Sequence, residues 1–195
     1  MKNISWQRAE GRLREALQRQ TGIPASKQFD AGDRGCANRR RGDLGIDITW
    51  VTGRIALGGG IWTSANMAEV ARAGITHIID MQIEFDDTEL AQPYGIEVLW
   101  NAVDDDFQPK PAEIFERGVE FALAALDQEN SKVYIHCAAG VHRAPMMTLA
   151  ILCALGWEME DAKQIIQARR PVVDFADVYV RSVEHFMRDY AGAEK

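Results

Sequence analysis

Val133-Tyr134-Ile135-His136-Cys137-Ala138-Ala139-Gly140-Val141-His142-Arg143-Ala144-Pro145 passes from an apolar run through a stretch of small residues into a helical pattern. Lys132 to His136 reads as a short buried strand, and residues from about 143 to 155 read as a helix. Outward from this unit the alternation repeats. Upstream, Ile46 to Val51 and Arg54 to Leu57 read as two strands joined by a Thr-Gly turn, followed by Gly58-Gly59-Gly60. That glycine run lacks the Lys-Ser/Thr of a nucleotide loop and reads as a turn. Ser64 is expected to cap a helix from Ala65 to Arg72 that ends at Gly74. Ile75 to Met81 and Ile96 to Ala102 read as further strands. Pro111 to Asp127 reads as an amphipathic helix with Ile114, Phe115, Val119 and Leu123 on one side. Downstream, helices are expected at about 159 to 168 and about 175 to 190. Strands alternating with helices predict an α/β fold with a central, largely parallel sheet of roughly four to five strands flanked by helices.

The strand-loop-helix unit has a chemistry of its own. A small-residue loop entering a helix points several backbone N–H groups into one space, and such a nest attracts phosphate. Ala138, Ala139 and Gly140 allow close backbone approach, with Val141 and His142 completing the loop. Arg143 supplies a planar, permanently charged fork suited to two phosphate oxygens. Cys137 at the base of this positive bowl is expected to act as a thiolate nucleophile toward phosphorus. A buried filler cysteine beside a helix-start arginine is the bland alternative, and it leaves the combination of His136, Cys137, Gly140 and Arg143 unexplained. Protonation of the leaving oxygen needs an acid. The loop Val103-Asp104-Asp105-Asp106-Phe107-Gln108-Pro109 offers Asp104, Asp105 and Asp106.

With Cys137 and Arg143 six positions apart, the sequence resembles the cysteine phosphatases that carry a Cys-x5-Arg signature, in particular the dual-specificity group. The resemblance covers about residues 46 to 190. Gly74-Ile75-Thr76-His77-Ile78-Ile79-Asp80 looks like that family's strand before its recognition loop, and Arg170-Pro171 looks like its turn before the last helix. The resemblance implies a phosphocysteine on Cys137, phosphate binding by Arg143, and a hydrogen-bonding role for His136 around the loop. Its register favours Asp105 as the acid. Where the family usually has Ser or Thr after the arginine, this chain has Ala144. The Arg-Ala-Pro ending resembles phosphatases of regenerating liver and plant glucan phosphatases. The first group carries a polybasic prenylated tail and a second cysteine where this chain has Gln82. The second brings a carbohydrate-binding region, for which Trp50, Trp62, Trp100 and Trp157 are the candidate rings. For each of these, packing in or at the edge of the core is the simpler expectation.

The 195 residues suffice for an amino-terminal extension of helix and loop over 1–44, with Ser5 to Gln20 helical, and a catalytic domain over 45–195. Within the loop, Arg39-Arg40-Arg41 reads as a solvated basic turn. The net charge of −7 offers no global attraction to nucleic acid or an anionic membrane. No run approaches the roughly 18 apolar residues of a membrane span. The three cysteines, Cys36, Cys137 and Cys153, form neither a disulfide framework nor a zinc pair. The expected compartment is cytoplasmic and reducing, and no metal or other cofactor is expected.

The short segment before Ile96 and the small core imply a shallow cleft open to phosphoserine, phosphothreonine and phosphotyrosine. Glu84, Asp86, Asp87 and Glu89 make that segment acidic, which disfavours polyanions. The expected substrate is therefore a phosphorylated protein, then a phosphorylated carbohydrate or other small phosphate ester, then inositide or RNA. A phosphate-binding pseudoenzyme or interaction module is the alternative from another class.

Overall fold

The computed structural model describes residues 45–193. The expected helix Ser5 to Gln20, the basic run Arg39-Arg40-Arg41, Cys36 and the extension 1–44 lie outside the described residues.

Five strands form one sheet: β1 (Ile48–Trp50), β2 (Ile55–Gly58), β3 (His77–Asp80), β4 (Glu97–Trp100) and β5 (Val133–His136). Their order is β1-β2-β5-β3-β4, with β2, β5, β3 and β4 mutually parallel and β1 antiparallel at one edge. The β1–β2 hairpin accounts for the one antiparallel pair. Each parallel crossover carries a helix, as the chain-reversal requires. The helices are α1 (Ser64–Arg72), α2 (Thr88–Ala91), α3 (Ala112–Asp127), α4 (Arg143–Ala154), α5 (Met159–Arg169) and α6 (Asp177–Ala193). Thr63, rather than the expected Ser64, caps α1: its hydroxyl accepts the Asn66 N–H at 3.1 Å. Helix α2 and the 3-10 turn Gln92–Tyr94 are not anticipated by the sequence pattern. Both are too short to leave a periodic signal.

The two-residue period of the strands sorts the core into two layers. Ile55, Leu57, Ile79, Met81, Val133 and Ile135 face one side and pack under α3, α4, α5 and α6. Ala56, Ile78 and Tyr134 face the other and meet Met67 and Val70 of α1, with Ile61, Ile75 and Ile96. Helix α4 is buried along almost its whole length, which suits its apolar composition on every face. Gly58 allows the β1–β2 edge to close, because a Cβ there would lie 1.8 Å from the Asp47 carbonyl oxygen. Trp50 and Trp157 are part-buried beside the core, as expected, whereas Trp62 and Trp100 are about half exposed at 51% and 46%. Both of these sit at the carboxyl-end rim of the sheet, beyond the reach of the core layers.

The pairing registers bring Gly58, His136, Asp80 and Trp100 into one row at the carboxyl ends of the parallel strands. In open α/β sheets ligands bind outside this row, where neighbouring crossovers diverge. Here it is crowned by the loop from Cys137 to His142.

Candidate active site

The loop is held from outside by its carbonyls. Ala138 O accepts the Gly60 N–H at 3.1 Å, and Val141 O accepts the Asp174 N–H at 3.1 Å. Between them, Ala139 O and Gly140 O accept Arg170 Nη2 and Nε at 3.1 and 2.9 Å. Arg170 is itself anchored by Thr49 Oγ1 at 3.1 Å and by both carboxylate oxygens of Asp47. With four consecutive carbonyls turned outward, the backbone N–H groups of residues 138 to 143 find no acceptor among the described residues. This is the nest that the small-residue loop implied. Gly140 has φ of +64°, and a Cβ there would lie 2.5 Å from Gly58 backbone atoms and 2.7 Å from Arg170 Nη2. No other residue fits both the left-handed conformation and the contact.

Cys137 lies on the floor of the loop, 2% exposed, its N–H bonded to Gly58 O at 3.4 Å. It is close enough to Arg143, Arg170 and Tyr134 for its charge to act on each of them. Burial pushes the Cys153 thiol up to about 11, so it stays protonated at neutral pH.

Arg143 is 3% exposed, and its donors are divided. Nη1 reaches Glu84 Oε2 at 2.9 Å, Val103 O at 3.1 Å and Met81 O at 3.4 Å, while Nη2 reaches Glu84 Oε1 at 2.9 Å. Burial lowers the guanidinium's pKa, but the Glu84 hydrogen bonds and the charges of Cys137, Glu84 and Asp105 outweigh it and raise it overall. The same hydrogen bonds hold the Glu84 carboxyl below its ordinary range. Nε remains unpartnered and buried, with Asp105 Oδ2 3.8 Å away. A guanidinium has five N–H donors, so the Nε–H and one Nη2–H are left as a side-on fork.

The three aspartates separate clearly. Asp104 is exposed. Asp106 turns back to Lys110 and to the Gln108 N–H at 3.0 Å. Asp105 faces the loop: Oδ2 is 3.1 Å from His142 Nδ1, and Oδ1 accepts the Tyr179 hydroxyl at 2.9 Å. His142 therefore bridges Asp105 and, through Nε2 at 3.5 Å, Asp174. Ala144 is fully buried in the first turn of α4, and the next hydroxyl along that helix, Thr148 Oγ1, donates to its carbonyl at 2.9 Å.

His136 lies beneath the loop with no exposure, stacked on Tyr134 at 5.3 Å. Its Nε2 is 2.8 Å from Asp87 Oδ2 and 3.8 Å from Asp80 Oδ1, close enough for charge pairing though not aligned as a hydrogen bond. Burial pushes the Asp80 carboxyl up to about 7, against the opposing pull of His136. Asp80, Asp87 and His136 could offer three metal ligands within 4.8 Å of one another. All three are fully buried, so a cation there could not meet a substrate oxygen.

Of the four acidic side chains expected to repel polyanions, Glu84 is exposed but paired with Arg143, Asp87 is buried behind His136, and Asp86 and Glu89 are exposed. Glu84, Asp87, the Asp47 anchor of Arg170 and Tyr179 were not singled out from sequence as site residues. The Arg170-Pro171 turn was the only local signal for any of this framework.

The chain matches the family model described as "Dual specificity phosphatase, catalytic domain" over residues 60–189. It is 30% identical over 118 residues to Protein phosphatase Slingshot homolog 3 of Mus musculus, covering 59% of this chain and 17% of that one. It is also 30% identical over 110 residues to Protein tyrosine phosphatase type IVA 3 of Homo sapiens, covering 55% of this chain and 62% of that one. The chain thus spans less than two thirds of either relative. Among solved structures, PTPMT1 in complex with PI(5)P aligns with a TM-score of 0.68 at 19% identity, covering 76% of this chain and 99% of that one. The active form of Tk-PTP aligns with a TM-score of 0.64 at 19% identity, covering 73% and 97%. At such identity the likeness is one of fold. No helix among the described residues is long and apolar enough to cross a membrane.

Proposed function

Since the chain belongs to the dual specificity phosphatase catalytic-domain family, we propose that it hydrolyses phosphomonoesters through a phosphocysteine on Cys137, with phosphorylated protein as its substrate. The observation that carries this reading is the outward bracing of four loop carbonyls. It leaves a nest of N–H groups around a buried cysteine and beside the free edge of Arg143. In the first step Cys137 sulfur bonds to phosphorus as the bond to the leaving oxygen breaks, and Asp105 gives that oxygen a proton. In the second, Asp105 takes a proton from water as the water oxygen bonds to phosphorus and the thiolate departs. A pseudoenzyme would not need Cys137, Arg143 and Asp105 together. Turnover of a generic aryl phosphate, followed by phosphopeptides, phosphoglucan and inositol phosphates, tests both the activity and its substrate class. Absence of turnover on all of them overturns the reading.

A phosphorylated carbohydrate is the second reading. Two exposed indoles flank the segment that carries Glu84: Trp100 Nε1 donates to Gln82 O at 2.7 Å, and Trp62 lies 6.4 Å from Phe85, ring to ring. Preference for phosphoglucan over phosphopeptides would select it.

Glu84 sets the orientation of the arginine fork. In Glu84→Gln the amide N–H₂ faces a guanidinium N–H and one of the two bonds is lost. Hydrogen bonds to charged groups contribute about 1.5 to 3 kcal/mol, so KM and the inhibition constant of inorganic phosphate should rise roughly 10-fold or more. Tighter phosphate binding by this variant would instead mean that Glu84 competes for the site.

Ala144 bears on the second step. A hydroxyl at this position would hydrogen-bond the sulfur as its charge returns, and alanine offers none. Thr148 does not replace it in this arrangement, because its proton is committed to Ala144 O. Phosphoenzyme hydrolysis should then limit turnover of reactive substrates, with a burst in rapid mixing. Ala144→Ser should raise the steady rate by about 10-fold or more and diminish the burst. No burst, together with no gain, would show that the second step is not limited by the missing hydroxyl.

A further inference from the structure

The acid loop is fastened by helix α6. Tyr179, 2% exposed, accepts the Phe107 N–H at 3.0 Å and donates to Asp105 Oδ1 at 2.9 Å. Ser182, three residues on and thus on the same face, accepts the Lys110 N–H at 3.0 Å and donates to Val178 O at 2.8 Å. Phe107 has φ of +55°, an unfavourable conformation for a bulky residue. Its ring stacks on Tyr179 at 5.7 Å and 15° and meets His142 edge-on at 5.1 Å. The Lys110 ammonium lies 5.3 Å from the Tyr179 ring centre. The loop is therefore tied at two backbone positions, the strained Phe107 itself and Lys110 three residues on, and both ties come from α6.

We infer that Tyr179 is the positioning residue of the acid: it fixes Asp105 Oδ1 as the accepting oxygen and leaves Oδ2 as the one that gives up the proton. This rests on the assignment of Asp105 as the acid. A phenol has one proton, and Tyr179 spends it on Oδ1. Protonating Oδ1 would leave the buried Tyr179 hydroxyl, already accepting from Phe107, donating to a carboxylic O–H oxygen, a much weaker acceptor than a carbonyl or carboxylate oxygen. The acid proton therefore resides on Oδ2, the oxygen 3.8 Å from Arg143 Nε and so the one turned toward the bound phosphoryl group. The same oxygen is 3.1 Å from His142 Nδ1. During phosphoryl transfer the Oδ2 proton passes to the leaving oxygen, and the resulting carboxylate keeps its bond from Tyr179.

Tyr179→Phe removes the hydroxyl and retains the ring that stacks on Phe107 and lies beside Lys110. Its kcat on esters with poor leaving groups, such as phenyl phosphate, should fall about 10-fold, the effect of one lost hydrogen bond of about 1.4 kcal/mol. For dinitrophenyl phosphate, whose leaving group departs without a proton, kcat/KM should change less than about 2-fold, and the affinity for tungstate should be unaltered. A purely structural role would lower both rates alike. An equal loss on both substrates, or none on phenyl phosphate, overturns the proposal. In an Asp105→Asn background Tyr179→Phe should add no further loss, and an added loss selective for poor leaving groups overturns the coupling. If Asp105→Asn alone shows no dependence on the leaving group, the acid assignment itself fails, and this inference fails with it.

Discussion

Cys137→Ser should reduce turnover by about 10⁴-fold or more, the scale on which removal of a nucleophile acts, while tungstate and inorganic phosphate still bind. The dissociation of the two effects follows from what holds the loop. Its shape depends on Gly60, Asp174 and Arg170 acting on four carbonyls, and none of these contacts involves the sulfur. The serine variant therefore keeps the N–H nest and the Arg143 fork. It loses the nucleophile, because a hydroxyl is far less acidic than a thiol and far less nucleophilic at neutral pH. Arg143→Lys should be impaired in both respects. An ammonium cannot make the paired bonds to Glu84 and still present a second pair to phosphate, and a Lys has no counterpart of Nε. Calorimetric titration with tungstate, beside steady-state and single-turnover kinetics, measures the two effects separately. Undiminished hydrolysis by Cys137→Ser would remove the phosphocysteine mechanism. Loss of anion binding along with turnover would mean that the sulfur itself shapes the nest.

The unit that runs from Val133 to Pro145 was legible because its chemistry is local. A buried strand, a loop of small residues and an arginine in the first helical turn fall within thirteen consecutive positions, and backbone geometry does the rest. The parallel sheet was legible for a related reason, since the strand and helix periods alternate through the chain. What braces the loop was not legible. Arg170 and Asp47 are 123 positions apart, Arg143 and Glu84 are 59 apart, and Tyr179 and Asp105 are 74 apart. A carboxylate bound to a partner so distant looks, in sequence, like any solvated acid. Glu84 and Asp87 accordingly read as a repulsive acidic surface, although one is paired with Arg143 and the other is buried against His136. The indoles at 62 and 100 read as residues in or at the edge of the core because their type is usually buried, and the position of the sheet rim leaves them about half exposed.

Asp105→Asn should depress kcat by about 10²- to 10⁴-fold on substrates with poor leaving groups, the range typical of a lost general acid. From the residues alone three neighbouring aspartates competed for this role. Their surroundings differ for a definite reason. The turn at Phe107 sends Asp106 back toward Lys110 and Gln108, whereas Asp105 is drawn between Tyr179 and His142. Asp104→Asn and Asp106→Asn should therefore remain near the wild-type rate, since both side chains are exposed. Asparagine keeps the size of the side chain and can still accept from Tyr179, so the loop need not move. It has no proton to give to an alkoxide or phenoxide of high basicity. The deficit in kcat/KM, which reports formation of the phosphocysteine, should shrink steadily as the leaving group becomes more acidic, because a stable anion can depart unprotonated. Formation of the phosphocysteine from dinitrophenyl phosphate should thus survive in Asp105→Asn. Its hydrolysis should not, because the carboxylate that receives the water proton is gone. The phosphoenzyme should accumulate, visible as a burst near one equivalent and as a mass gain on Cys137. A uniform loss of kcat/KM over all leaving groups would assign Asp105 a structural role. The same leaving-group pattern in Asp104→Asn or Asp106→Asn, and not in Asp105→Asn, would move the acid by one residue and leave the cysteine chemistry standing.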